Sequence, residues 1–269
     1  MRTEISNQYQ HWSIPMKVFD SHVNLSESGR WFKTDLDASY ERAVDALDES
    51  NIGRAVLLAM PGTCTNSVFE NSNIDRERFW CFGNIDMDRI NYSIDQIKEL
   101  ELDGVKFHPR VQGFGLDQLL DMPFLYELDD LGLPLMICGW QQSTVLPIAS
   151  LSPLHVDSIA KRHPTLKIIL SHLGGHRFWD AFTVARSNPM VYLDCSYFLH
   201  HFNGTSLVSD FFSSLHMIDE KVIYGSDFPE VDPSNYLNLF YSGVAATSAA
   251  KQSNVLYRNL ERFLLKGAI

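Results

Sequence analysis

Four short segments concentrate the residues able to hold a metal ion or move a proton: Asp20-Ser21-His22-Val23-Asn24, Lys106-Phe107-His108-Pro109, Ser171-His172-Leu173-Gly174-Gly175 and Gly225-Ser226-Asp227-Phe228-Pro229. Two imidazoles and a carboxylate, from His22, His172 and Asp227, offer nitrogen and oxygen ligands of the kind a divalent ion accepts, and Asp227 can also take a proton from water. Lys106, His108, Arg110 and Gln112 add donors suited to a substrate carboxylate or a lactone oxygen. Together these groups point to hydrolysis at a carbonyl. Trp140, Tyr197, His200 and His201 are the residue types of an aromatic wall or a polar lid beside such a site.

The elements that must position these residues follow from the pattern around them. Eight short, nearly continuous apolar runs are expected as buried parallel strands: Lys17 to Ser21, Arg54 to Met60, Phe79 to Asn84, Gly104 to His108, Leu133 to Cys138, Leu166 to Ser171, Met190 to Cys195 and Lys221 to Gly225. Helical patterns alternate with them. After Asp37, for example, Tyr40, Ala43, Val44 and Leu47 fall on one face. Others run over Tyr92 to Leu100, Pro123 to Leu131, Leu154 to Arg162, Phe178 to Arg186, Leu207 to Leu215, Asn235 to Ala246 and Gln252 to Leu265. Gly53, Gly104 and Gly132 stand where left-handed helix caps are expected. Repeated strand-helix units over 269 residues predict a single α/β domain, 1-269, folded as a (β/α)8 TIM-type barrel. In that fold, active-site groups sit at the C-terminal ends of strands, where the four segments lie.

Composition narrows the function classes. With 33 acidic against 22 basic residues the formal net charge is -11, and no Lys/Arg stripe is present to track phosphates, so nucleic acid is not an expected partner. No run of 18 apolar residues suggests a membrane span, and Met1 to Lys17 lacks the apolar core of a signal peptide. Cys64, Cys81, Cys138 and Cys195 are widely spaced, without a CxxC pair, which fits a reducing, cytoplasmic setting. A small-molecule substrate is the expected partner, with homo-oligomer formation left open. His11, His155, His163 and His216 have no partner pattern and read as surface or helix residues.

At the level of motifs the chain resembles the amidohydrolase-related family that includes aminocarboxymuconate semialdehyde decarboxylase and many metal-dependent hydrolases. DSHVN is similar to that family's D-x-H-x-H opening, GVKFHPRVQGF to its GxKxHPxxQGF segment, and HPTLKIILSHLGG and IYGSDFP to its sixth- and eighth-strand signatures. The resemblance covers nearly everything from Val18 to the C-terminal helix. It implies His22 as a first-strand ligand, His172 as a sixth-strand ligand or acid/base, and Asp227 as an eighth-strand ligand and proton acceptor. The implied cofactor is a divalent metal, zinc foremost.

Two positions depart from the family pattern. Asn24 stands where the second histidine of the opening is expected, and Cys138 in LPLMICGW stands where relatives carry a histidine. A neutral amide oxygen is a poor zinc ligand, whereas an inward thiolate is a good one, so Cys138 is either a ligand or a small core residue. Asn24 reads better as a substrate contact or as an orienter of His22. Lys106, His108, Arg110, Asn24, Trp140 and Tyr197 form the expected substrate surface. The leading expectation is a metal-dependent hydrolase of a small amide, lactone or organic acid. The alternatives are a metal-independent lactonase-like hydrolase, a decarboxylase of the same family, and a non-catalytic binding barrel.

Overall fold

A computed structural model describes residues 16–61, 66–70 and 73–265. Cys64 and His11 lie outside the described residues. Eight parallel strands pair in sequence order: β1 Phe19–Leu25, β2 Arg54–Ala59, β3 Phe79–Asn84, β4 Gly104–Phe107, β5 Leu135–Ile137, β6 Ile168–Leu170, β7 Val191–Asp194 and β8 Val222–Ile223. The last strand returns to the first through backbone bonds, Ser21 N–H to Tyr224 O (2.9 Å), Asp227 N–H to His22 O (3.0 Å) and Asn24 N–H to Phe228 O (2.9 Å). The sheet is thus a nearly closed TIM-type barrel with helices between its strands. Among the described residues, no helix is long and apolar enough to cross a membrane.

Alternation along the strands sorts the side chains into two layers. Outward residues such as Ala55, Leu57, Val105, Phe107, Leu135 and Ile137 join the main core beneath the helices. Inward residues Phe19, Val56, Phe82, Met136, Ile169 and Ile223 pack with Leu260 and Phe263 of the helix Asn259–Leu264 into an apolar plug at the strands' N-terminal ends. The inward row then turns polar. Lys106, Asp194 and Cys138 continue it toward the C-terminal ends, each two residues beyond or between such positions.

β1 departs from this regularity in a way the sequence does not announce. It extends four residues past the expected end at Ser21, and its register shifts between Asp20 and Val23. Phe19 is in the plug, yet Val23 and Leu25 are in the outer core, so the alternation reverses phase within that interval. An irregularity of this kind re-aims side chains. His22 and Asn24 therefore share the inward face within the strand, rather than requiring a strand already turning into its loop.

Helix placement follows the amphipathic patterns closely; Tyr40–Glu49, for instance, buries Ala43, Ala46 and Leu47 and is capped by Ser39, whose hydroxyl accepts from Arg42 N–H. The glycine caps are only partly as expected. Gly132 has φ 67°, but Gly53 and Gly104 are not left-handed, and Asn51 (φ 56°) and Glu101 (φ 48°) take that conformation instead. His163 takes the second of its two expected settings: it stands at the C-cap of the helix Leu154–Arg162 and is buried, edge-on to Tyr126 with ring centroids 4.4 Å apart.

Candidate active site

The strand ends converge as expected, and left-handed backbone aims them. His172 (φ 58°) and Leu173 (φ 50°) enter the turn after β6, Tyr197 (φ 61°) follows β7, and Asp227 (φ 73°) follows β8. Non-glycine residues adopt this region at a cost of about 1–3 kcal/mol each, which persists only where the surroundings enforce it. Here Gln141 does so for the β6 turn, donating from Nε2 to the carbonyls of Gly139 and Gly174, the latter at 2.8 Å. Gly139 permits the approach, because a Cβ there would lie 2.4 Å from Ser171 O. Gly139→Ala is accordingly expected to lower stability by about 1–3 kcal/mol, read as a fall in Tm by calorimetry, with an unchanged Tm contradicting the contact.

At the centre lies a buried hydrogen-bonded group. His22 Nδ1 meets Asp194 Oδ2 at 2.7 Å, and its Nε2 lies 3.1 Å from Asp227 Oδ1. Asn24 donates from Nδ2 to the same Asp227 oxygen (3.1 Å) and to Phe228 O (2.8 Å). His172 Nδ1 donates to Ser196 O at 3.0 Å, and Ser196 Oγ stands 3.0 Å from the Nδ1 atoms of both histidines. Lys106 Nζ donates to Ser171 Oγ (3.0 Å) and reaches within 3.3 Å of His22 Nε2.

Burial dominates the electrostatics. It depresses the pKa of His22, with Lys106 adding to the effect against the pull of Asp194 and Asp227. It lowers Lys106 and His108 as well. Burial would raise Asp194, but His22, His172 and Ser196 hold its carboxyl below the usual range. At Cys138 burial opposes ionisation, yet the neighbouring His108 and His172 imidazoles carry the thiol well below its ordinary value. His172 moves up in return: burial disfavours its cation, and Cys138 and Asp227 outweigh that. Asp20 is pushed up to about 7 by burial, although its Oδ1 accepts from His22 N–H and Ser226 N–H, each at 2.9 Å.

The ligand atoms of His22, His172 and Asp227 lie within 4.8 Å of one another. Each imidazole spends Nδ1 on an acceptor, which leaves Nε2 for the centre, as ligating histidines require. This donor set fits a divalent ion held by three protein groups with one position open. Cys138 is not part of the group, although its place against His172 keeps it beside the centre.

Above the group opens a cavity of about 220 Å³, lined by His22, Asn24, Trp31, Phe32, His108, Arg110, Trp140, Gln142, His172, Tyr197, His201, Asp227 and Glu230. Six of the residues singled out by sequence as substrate contacts or wall are there. Lys106 is not on the wall but beneath it, Gln112 is spent on the backbone of His108 and Ile85, and His200 is exposed. His108 Nδ1 and Arg110 Nε have no hydrogen-bond partner among the described residues. A larger cavity, about 430 Å³, between the helices Ser206–Ile218 and Pro233–Gly243 contains no titratable side chain.

Sequence reasoning missed Asp194, Ser196, Ser171, Trp31 and Glu230. Asp194 had a signal, being a carboxylate that ends the apolar run VYLD. Trp31 and Glu230 had none, since their contact, Trp31 Nε1–H to Glu230 Oε1 at 2.5 Å, spans 199 residues.

Among solved structures, an uncharacterised TIM-barrel protein from Bordetella bronchiseptica shares 17% identity at a TM-score of 0.76, covering 92% of this chain and 98% of that one. A probable 2-pyrone-4,6-dicarboxylic acid hydrolase from Acinetobacter baumannii, with citric acid bound, shares 16% identity at 0.70, covering 93% and 99%. A 2,6-dihydroxybenzoate decarboxylase from Rhizobium shares 15% at 0.66, covering 93% and 98%. No curated protein sequence matches significantly. These likenesses show the fold. The profile of the family described as Amidohydrolase matches residues 16–265. This family of hydrolases and decarboxylases acts on small substrates and generally binds a divalent metal, in keeping with the His-His-Asp group, and the chain belongs to it as an amidohydrolase-type enzyme.

Proposed function

We propose that the protein is a metal-dependent hydrolase of a small carboxylate-bearing lactone or amide. The observation that carries this reading is the convergence of two imidazoles and Asp227 on one point, with both Nδ1 atoms already committed to acceptors. His22, His172 and Asp227 would hold the ion, zinc foremost, and such an ion supplies a Lewis acid that polarises a carbonyl and acidifies water. Asp227 accepts the proton of the attacking water, and Asn24 keeps its carboxylate oriented through Oδ1. That proton then passes from Asp227 to the leaving group, because His172, with Nδ1–H held by Ser196 O and Nε2 facing the ion, has none to give. Arg110 and His108 offer unpaired N–H or ring nitrogen atoms to a substrate carboxylate. Trp140 and Tyr197, ring centroids 5.3 Å apart, form the wall that excludes water from the ring or chain of the substrate.

The test is turnover of a panel of small carboxylated lactones and amides by protein purified without chelator. Chelation is expected to abolish activity and added zinc to restore it; full activity after exhaustive chelation would overturn the metal reading. Product analysis separates the reactions, since hydrolysis incorporates solvent oxygen whereas decarboxylation, also found among the structural neighbours, releases carbon dioxide.

One observation favours a second reading. Lys106 Nζ lies 3.3 Å from His22 Nε2 and donates to Ser171 Oγ, so a buried N–H donor stands beside the centre, as a metal-independent lactonase-like hydrolase would need. On that reading chelation is without effect, and Lys106→Met abolishes turnover.

A further inference from the structure

A neutral imidazole carries one N–H, and the partner of one ring nitrogen decides which lone pair the other presents. At His22 two carboxylates compete: Asp194 Oδ2, fully buried, lies 2.7 Å from Nδ1, and Asp227 Oδ1 lies 3.1 Å from Nε2, where Lys106 Nζ also stands as a donor at 3.3 Å; the shorter contact on one side and the donor on the other place the hydrogen on Nδ1. At His172 the partner is the Ser196 carbonyl, also acceptor-only, at 3.0 Å. The two acceptors are two residues apart on one turn, and that turn is internally locked, because Ser196 N–H donates to Asp194 Oδ1 at 2.5 Å. The Ser196 hydroxyl lies 3.0 Å from both Nδ1 atoms and ties the rings to the same point. β7 thus touches the candidate centre with neither Asp194 nor Ser196, yet it holds the two side chains that do.

We propose that Asp194 and Ser196 are a positioning pair that fixes both His22 and His172 as Nδ1–H tautomers and so presents both Nε2 lone pairs to the site. The consequence for metal affinity rests on the reading above, but the tautomers themselves do not. A merely space-filling role for these buried polar groups would leave the ring protonation pattern indifferent to the charge on Asp194. The pair makes it depend on that charge, because an amide at position 194 can turn its N–H₂ toward Nδ1 and transfer the lone-pair preference to the wrong nitrogen.

The experiment is long-range ¹H–¹⁵N spectroscopy of the full-length, metal-free protein, above the pH at which the imidazoles take a second proton. Wild-type protein is expected to show His22 and His172 as Nδ1–H. Asp194→Asn is expected to move His22 to Nε2–H and to weaken zinc binding by about 10–100-fold, whereas Asp194→Glu retains Nδ1–H and loses less. An Nε2–H tautomer at His22 in the wild type overturns the proposal, and so does an Asp194→Asn variant that keeps Nδ1–H. Should Asp194→Asn fail to fold, the wild-type spectrum and Asp194→Glu decide. A tautomer switch in a protein that binds no zinc upholds the pair and removes the metal reading instead.

Discussion

Asparagine in place of Asp227 is expected to lower kcat by about 10²–10⁴-fold, the range general-base catalysis supplies, while KM for the same substrate changes little. The amide retains an oxygen for Asn24 Nδ2, which now donates to Asp227 Oδ1 at 3.1 Å, so the local scaffold persists. What disappears is the group able to take a proton from water, and with it the one charged ligand of the proposed ion. Because Asp227 belongs to the group with His22 and His172 while Arg110 and Trp140 line the cavity outside that group, binding and chemistry are carried by different side chains. A variant that retains turnover within a few fold would move the general base elsewhere, with His172 the next candidate.

The second large effect concerns stability as much as activity. His22→Ala is expected to abolish turnover and to destabilise the fold by about 3 kcal/mol, the scale for removing one member of a buried pair. Asp194 is fully buried and its Oδ2 accepts from His22 Nδ1 at 2.7 Å, so truncating the ring strands a carboxylate away from water. Adding Asp194→Ala to His22→Ala should recover part of the lost stability in denaturant titrations; equal or greater loss in the double variant would show that the pair is not what the fold depends on here. The pH dependence has a definite sign. Asp194 is held below its ordinary 3.8 and His22 below its ordinary 6.5, so both groups bind protons more readily unfolded than folded. Their contribution is present at neutral pH, erodes as pH falls through 6.5 for His22 and through about 4 for Asp194, and vanishes from the double variant.

Periodicity made the barrel legible because its strands are buried on both faces and read as short apolar runs. The third strand, Phe79 to Asn84, lies where that pattern places it, and the helix Pro123–Leu131 does too. The centre was legible for a similar reason: His22, His172 and Asp227 are polar residues ending apolar runs, and the fold brings such ends together. The phase reversal in β1 was not legible. DSHVNL alternates no differently in sequence whether or not a residue bulges out, and only pairing to β2 on one side and the β8 end on the other reveals it. Lys106 shows a different limit. Sequence places it at the end of β4 but not its depth, and the structure turns it from a wall residue into a buried donor beneath the wall. Trp31 and Glu230 were invisible because a contact between distant loops leaves no periodic trace.

The proposed metal-holding centre consists of His22, His172 and Asp227. It is tested most directly by crystals of the protein soaked in zinc, with anomalous difference maps recorded on either side of the zinc absorption edge. One peak is expected, bonded to His22 Nε2, His172 Nε2 and an Asp227 carboxylate oxygen, at the roughly 2.0–2.2 Å of zinc–nitrogen and zinc–oxygen bonds. A map without a peak there, with Lys106 Nζ still against His22 Nε2, would contradict it.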